Sequence, residues 1–455
     1  MITLLLFFRD LRLEDHSALA AARFQDSPLL PCFIFTPGQA TQRNTYKSDT
    51  SFYYMIQSLK SLHKQIADQH GQLYCFYGSL EKTLHHLCNK NPITSIFCHY
   101  DYTSFAKNRQ DAIEHFAKKN NIECHFFHDY LLTTPGTVVK KDSKPYVKFT
   151  PFFKAALQHV DNTPRKTKDI QWHTKLIISK ELTIVDIEKE GTKDGLLLKK
   201  KPLLFIEGGL ENAKKIIKKA HDITSYEKIR DIPSEHTTHF SALLKFGVVS
   251  VRSIYNSFSN KPAIIRQLVW RDFFTHIAYF FPHVFEGAFY KKFDRLSWQD
   301  NAALFTLWKE GNTGYPLVDA GMRQLNTVGY MPNRVRLITA SLLVKNLHIH
   351  WKKGEQYFAQ HLIDYDPSVN NGNWQWVAGT GCDTMPYFRI FNPWIAQKKF
   401  DPQGLYIKQW IPELASVEPT TLHNPYKQKG NEYPMPCVDY KLTAEKFLKT
   451  IRHIL

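Results

Sequence analysis

Short apolar runs recur through the first 130 positions, each closed by charged or turn-forming residues. Thr3–Phe8, Leu30–Phe35, Leu73–Tyr77, Ser95–His99 and Glu123–Phe127 read as strands, and helix-like segments separate them. Strand and helix in alternation predict an α/β domain, a doubly wound, Rossmann-like parallel sheet with helices on both faces. No GxGxxG follows the first strand, so a dinucleotide site there is not supported. Beyond about residue 205 the apolar period becomes helical, over Asn212–Ala220, Arg252–Phe258, Pro262–Phe281, Asn301–Glu310, Pro316–Val328, Asn333–Trp351 and Ala444–Leu455. Residues from about 161 to 202 are rich in Lys, Thr and Asp without periodicity, and Lys199–Lys201 reads as a solvated run in that connection. The chain thus divides into an α/β domain (1–130), an interdomain connection (131–204) and a larger all-α domain (205–455).

Composition narrows the class. At 455 residues, 43% hydrophobic and 14% aromatic, the chain suits two packed domains and not wholesale disorder. The opening run Ile2–Phe8 is broken by Arg9 and Asp10, with no basic region before it and no cleavage site after it, so a buried strand is expected and not a signal peptide. No apolar run approaches a membrane span. Lys and Arg number 59 against 42 Asp and Glu, a net charge of +17, which favours a polyanionic partner such as nucleic acid. The seven cysteines form no CxxC pair and show no regular spacing, so neither a disulfide framework nor a zinc site is indicated, and no metal is expected. A reducing setting follows, cytoplasmic, or nuclear in a eukaryotic source.

Within Asn333–Trp351, Asn333 and Leu337 share a face, Arg334 and Arg336 bracket it, and Ile338, Leu342 and Leu343 suit a core. The following DYDPSVNNGNWQWVAGTGCDTMPYFRIFNP is dense in Asp, Asn, Gly and Trp, which suggests a polar ligand with an aromatic wall. On Pro262–Phe281, Gln267, Trp270 and Arg271 fall at i, i+3 and i+4 and form one surface.

Between Gly314 and Phe400, GYPLVDAGMRQL, GYMPNRVRL, HWKKGEQYF, DYDPSVNNGNWQW and PYFRIFNP resemble the successive FAD-binding motifs of the photolyase/cryptochrome family, in its order and spacing. TTHFSALLKFGVVSVR, QLVWRDFF, FFRDLRLEDHSALAAA and KPYVKFTPFFKA extend the resemblance over nearly the whole chain, and it is nearest the class I cyclobutane pyrimidine dimer photolyases. It implies one FAD per chain, reduced in the active form, held at Tyr226, Thr237, Thr238 and Ser241 along its phosphates and ribityl chain. Arg336 and Asp364 would pair beside the isoalloxazine, Asp366 would bind toward the adenine or ribityl end, and Asn370 would face flavin N5. Plant cryptochromes carry Asp at that last position and animal ones Cys, so Asn370 favours repair over signalling. Trp374, Trp351 and Trp298 match the tryptophan chain that passes electrons inward to photoreduce the flavin.

The partner so implied is UV-damaged DNA, bound by a monomer. Photolyases flip the damaged bases out of the duplex, and Trp270 and Trp376 would stack on the extruded dimer. Gln267, Asn333 and Leu337 would line the lesion, with Arg271, Arg334 and Arg389 on phosphates and Lys398 and Lys399 as weaker candidates. Asn370, Gln267 and Asn333 are the residues expected at the reacting centre. Excited reduced flavin donates an electron, the cyclobutane opens, and the electron returns, with no general acid or base required.

Three positions depart from the usual cyclobutane-type pattern. Gln267 stands where Glu is usual and matches the (6-4) photolyases, whereas Asn333 and Leu337 stand where those enzymes carry two histidines, so the catalytic acid of a (6-4) enzyme is missing. Pro332 and Leu337 replace the His and Met of the cyclobutane type. Cyclobutane repair is therefore expected, with (6-4) repair and a cryptochrome-like photoreceptor as alternatives. The usual mark of the photoreceptor is a long C-terminal extension, and Leu455 follows the helical core closely. A second, antenna chromophore is the remaining expectation. Lys107 stands where folate binders have a carboxylate, which leaves folate, deazaflavin and none open.

Overall fold

The computed structural model describes residues 1–167, 169–188, 201–383, 390–423, 433–452 and 454. Five parallel strands form where the apolar runs predict them: β1 (Ile2–Phe7), β2 (Leu29–Phe35), β3 (Tyr74–Tyr77), β4 (Ile93–His99) and β5 (Glu123–Phe127). Every residue of β1 and β2 is buried, as a parallel sheet covered on both faces requires. A short β6 (Thr183–Ile184) pairs antiparallel with β3, giving the order β5-β4-β1-β2-β3-β6. Two residues are too few to produce an alternation, so the sequence pattern misses this strand.

The order reverses between β1 and β4, and a buried polar network sits beyond their C-terminal ends. Asp10 accepts from His99 Nδ1 at 2.5 Å and from His16 Nε2 at 3.1 Å. Asp129 receives Arg12, the Ser17 hydroxyl at 2.6 Å and Arg252 Nη2 at 2.6 Å, while Arg252 Nε also meets Asp15 at 3.0 Å. Burial alone would raise the Asp129 carboxyl, but Arg12, His99 and Arg252 together hold it well below the usual carboxylate range. Gly247 fits here because its φ is +59° and a Cβ would come within 2.5 Å of the Arg9 carbonyl.

Two compact units result. The first comprises Met1–Pro202, Ile206–His221 and His239–Phe280, and the second Leu203–Phe205, Asp222–Thr238 and Phe281–Leu455. Arg252 ties its helix, Val251–Ser257, into the polar network of the first unit. Helix Pro262–Phe280 joins the same unit by packing on Phe149–Ala156, where Trp270 stacks flat on Phe149 at 3.5 Å. No helix among the described residues is long and apolar enough to cross a membrane.

The second unit is helical around a core that includes Trp308, Leu325, Ile338, Leu342 and Leu343. Pro316–Val328 forms as expected and stops at Gly329, whose φ is +69°. The expected helix Asn333–Trp351 is corrected. Its α-helical part ends at Ser341, passes through a π turn at Leu342–Asn346, and gives way to a new helix, Trp351–His361. His348 adopts φ +53°, which no continuous helix allows, and Asn346 turns its amide to the Tyr440 carbonyl at 3.1 Å. The last helix runs Tyr440–Arg452 and not from Ala444; Leu455, like Lys199 and Lys200, lies outside the described residues.

Arg252→Leu should destabilise the protein by about 3–5 kcal/mol, because it strands two buried carboxylates. Thermal unfolding of the purified variant checks this, and an unchanged midpoint would show that the network is not structural.

Candidate active site

Four polar side chains of the second unit converge on Tyr330, a residue the sequence reading did not single out. Burial pushes its phenol up to about 12; Arg336 and a hydrogen bond with Thr237 act downward, and Asp364 and Tyr226 act upward. Phe205 stacks flat on its ring at 4.3 Å. Arg336 Nη2 meets Asp364 Oδ2 at 2.9 Å, and Arg336 Nε donates to the Met331 carbonyl at 2.7 Å, so the predicted pair is formed and its arginine oriented. The Asp364 side chain is only 5% exposed, yet its Oδ1 has no hydrogen-bond partner. A buried carboxylate oxygen without a donor is costly and is a feature that a bound group with an N–H or O–H would complete. Thr238 is half-buried beside Thr237, and Ser241 lies exposed on Phe240–Lys245 in the first unit.

Helix Pro367–Ala378 carries Asn370. Its Nδ2 donates to the Glu355 carbonyl at 3.1 Å and to Glu355 Oε1 at 2.8 Å, which turns the Asn370 carbonyl away from Glu355. Glu355 is buried and was missed, although HWKKGEQYF contains it. Asp366 caps this helix by accepting from Val369 N–H at 3.0 Å, which commits one of its oxygens to the backbone. Asn371 and Gln375 hold the backbone of 284–289: both donate to the Val284 carbonyl, at 2.9 and 3.0 Å, and Gln375 accepts from Phe289 N–H at 2.8 Å. Part of the polar density expected to face a ligand is therefore a brace.

Trp374 and Trp351 are buried and Trp298 is half-buried. The Trp374 ring presses on Gly354 of helix Trp351–His361, where a Cβ would come within 2.6 Å of its Cζ3. Leu337 and Trp376 are half-buried against the core, and Asn333 is exposed at the start of its helix. Arg334 is engaged by Asp231 at 2.6 Å and lies over the Phe400 ring, with Nε buried and unpartnered. Lys398 and Lys399 are exposed, and Arg389 lies outside the described residues.

In the first unit, Gln267 is half-buried and its amide makes a long contact, 3.5 Å, with the Ala263 carbonyl. Arg271, expected on a phosphate, lines a pocket past the ends of β1 and β4. There Tyr130 is held between the guanidiniums of Arg9, at 3.6 Å, and Arg271, at 3.5 Å. Phe8 lines the same pocket, and Arg109 lies flat on it at 3.5 Å with Nε and Nη2 buried and unpartnered. Lys107 rests over the Tyr279 ring. Asp10, His16 and His99 have the spacing of a metal site. However, His16 Nδ1 accepts from Leu19 N–H and His99 Nε2 from Ala18 N–H, both at 3.0 Å. The nitrogens facing Asp10 must therefore carry the protons, and neither has a lone pair for an ion.

Comparison with known proteins places these features. A family profile described as the FAD binding domain of DNA photolyase matches residues 264–453, and one described as DNA photolyase matches 3–169. The chain is 36% identical to a deoxyribodipyrimidine photo-lyase of Buchnera aphidicola, over 99% of this chain and 98% of that one. It is 34% identical to the enzyme of that name from Escherichia coli, over 97% and 96%. Among solved structures it matches the archaeal photolyase of Sulfolobus tokodaii, crystallised with two FAD molecules, at a TM-score of 0.88 and 36% identity over the whole of both chains.

Gly354→Ala should lower the melting temperature. At an open helix position this change adds about 1 kcal/mol of stability, but here the Cβ overlaps a buried indole, an overpacking that costs about 1–3 kcal/mol. A melting temperature that rises would show that Trp374 can move aside freely.

Proposed function

The chain belongs to the photolyase/cryptochrome family, and we infer that it is a deoxyribodipyrimidine photo-lyase that repairs cyclobutane pyrimidine dimers in UV-damaged DNA, using light and FAD. The observation that carries this is the full-length likeness to enzymes of that name, joined to a site whose donor set suits the cofactor. Asp364 leaves one buried oxygen for a cofactor N–H, and Arg336 beside it brings positive charge to an electron-rich ring. When bound, reduced FAD supplies, on absorbing blue or near-ultraviolet light, the electron that opens the cyclobutane ring and takes it back.

The protein's own residues bind, orient and exclude water. Tyr226, Thr237, Thr238 and Ser241 hold the phosphate and ribityl portion, and Asp366 contributes there. Asn370, with its amide nitrogen spent on Glu355, offers only a carbonyl, an acceptor suited to a protonated ring nitrogen. Gln267 meets the base edges of the dimer, and Asn333, Leu337 and Trp376 complete the lesion contacts of their own unit. Trp270, packed on Phe149 and Phe274, is the aromatic assigned to stack on the dimer. Arg271, from its pocket wall, Arg334 and Arg389 serve the DNA backbone. Trp374, Trp351 and Trp298 relay electrons inward.

Neither Asn333 nor Leu337 can donate a proton to a photoproduct, which disfavours the (6-4) alternative. A second chromophore near Phe8 is in keeping with the two FAD molecules of the archaeal relative, and the stranded Arg109 donors suit an acceptor-rich ring there. The protein acts as a monomer in a reducing compartment, the setting that seven cysteines without a CxxC pair led the sequence to suggest.

Reduced protein incubated with oligonucleotides bearing either lesion should remove the cyclobutane dimer in light and not in darkness. Loss of the (6-4) lesion alone would overturn the substrate assignment, and loss of neither would overturn repair. Asp364→Asn, which removes a charged partner worth about 1.5–3 kcal/mol, should weaken FAD retention tenfold or more as read by equilibrium dialysis. Undiminished retention would remove Asp364 from the cofactor site.

A further inference from the structure

Trp298 sits in an extended segment of the second unit that is clamped to the start of helix Trp351–His361. Gln299 N–H donates to the His348 carbonyl at 2.9 Å, and His350 N–H donates to Asp300 Oδ1 at 3.0 Å. Lys353 Nζ pairs with the other Asp300 oxygen at 3.2 Å, and Asp300 adopts φ +46° to present its carboxylate. The imidazole of His350 neighbours both tryptophans, its centroid 5.1 Å from that of Trp298 and 5.8 Å from that of Trp351. His350 is also the N-cap of the helix: Nδ1 accepts from Lys352 N–H at 3.1 Å, which puts the proton of the neutral ring on Nε2. Burial lowers its pKa, opposed by Asp300 and reinforced by Lys352 and Lys353, so at neutral pH no positive charge stands there beside the indoles. Asp294 also faces it and acts with Asp300.

We propose that His350 is a positioning residue for photoreduction, its neutral ring the spacer that fixes Trp298 relative to Trp351. This rests on the tryptophan relay inferred above. The step concerned moves one electron from Trp298 to the Trp351 radical cation, restoring Trp351 and leaving Trp298 one electron short. No bond breaks, and the oxidant at the inner end is photoexcited oxidised FAD. The ring sets the separation, while the cap and the Asp300 clamp set its orientation.

Two variants separate the ring from the cap. His350→Asn keeps a good capping side chain and removes the ring, whereas His350→Phe keeps a ring and removes the cap. Each is loaded with FAD, and light-driven flavin reduction in the presence of thiol is compared with repair by dithionite-reduced protein; Trp351→Phe is measured alongside. His350→Asn should slow photoreduction at least about tenfold, a misplacement of about 1 Å being able to cost about a hundredfold, while repair by reduced protein stays unchanged. His350→Phe should melt earlier yet photoreduce at close to the normal rate. A merely structural role gives the opposite order, with Asn benign and Phe harmful, and overturns the proposal. So does equal slowing of photoreduction and repair in His350→Asn, or equal slowing of photoreduction by Asn and Phe. If Trp351→Phe blocks photoreduction and His350→Asn does not, the relay stands without His350. If Trp351→Phe photoreduces normally, the relay itself falls and the proposal with it.

Discussion

The close approach of Trp374 to Gly354 governs the centre of the second unit. The indole lies where a side chain at 354 would have to be, and it is walled by Phe358 at 4.9 Å and Trp308 at 6.3 Å, both edge-on. Burying such a ring contributes on the order of 4–6 kcal/mol, against about 1 kcal/mol for glycine inside a helix. Packing therefore wins over propensity. The consequences follow by chain connectivity: Glu355 adjoins Gly354 and is brought to Asn370, and Trp351 lies one turn earlier on the same helix. One missing side chain thus aligns both the amide proposed to face the cofactor and the middle of the proposed relay.

Buried charge is handled in two ways in this molecule, and the difference separates scaffold from site. Around Asp10, Asp15 and Asp129 the carboxylates meet arginine, imidazole or hydroxyl donors, and the backbone N–H groups of Leu19 and Ala18 consume the remaining ring nitrogens. Such a closed network holds its parts in place and has nothing left to offer a ligand. Asp364 is equally buried but half satisfied, and Arg334 keeps a buried Nε without an acceptor. An unmade bond of that kind costs about 1–3 kcal/mol, which is sustained where a bound molecule returns it. Arg109 repeats the pattern in the first unit.

What could be read from the chain beforehand follows the range of the interaction concerned. Strand burial and helix period are local, and β1 to β5 and Pro316–Val328 lie within two residues of where the pattern put them. The break after Ser341 was hidden because Leu342, Leu343 and Val344 continue the apolar sequence, while its cause, the docking of Asn346 on Tyr440, spans almost a hundred positions. The Arg336–Asp364 pair was legible only through family motifs. Tyr330 and Glu355 lay inside those motifs yet gave no separate signal, since a buried tyrosine or glutamate becomes informative only when its neighbours are known. Conversely, Asn371 and Gln375, part of the polar density read as facing a ligand, serve as backbone braces, because an amide satisfies a carbonyl of the chain as readily as one of a cofactor.

Burial along the proposed relay also bears on direction. Trp374 and Trp351 are 3% and 2% exposed, whereas Trp298 is half-buried. An indole that has lost an electron is a cation, and a cation is disfavoured where water is excluded. The positive charge therefore lowers its energy by moving outward from Trp374 through Trp351 to Trp298, which is the same as electrons moving inward. Had His350 been protonated, it would have opposed this final transfer by repulsion at close range. A neutral imidazole instead neighbours both indoles without a barrier of charge, and the carboxylate of Asp300 just beyond it favours the outer position further.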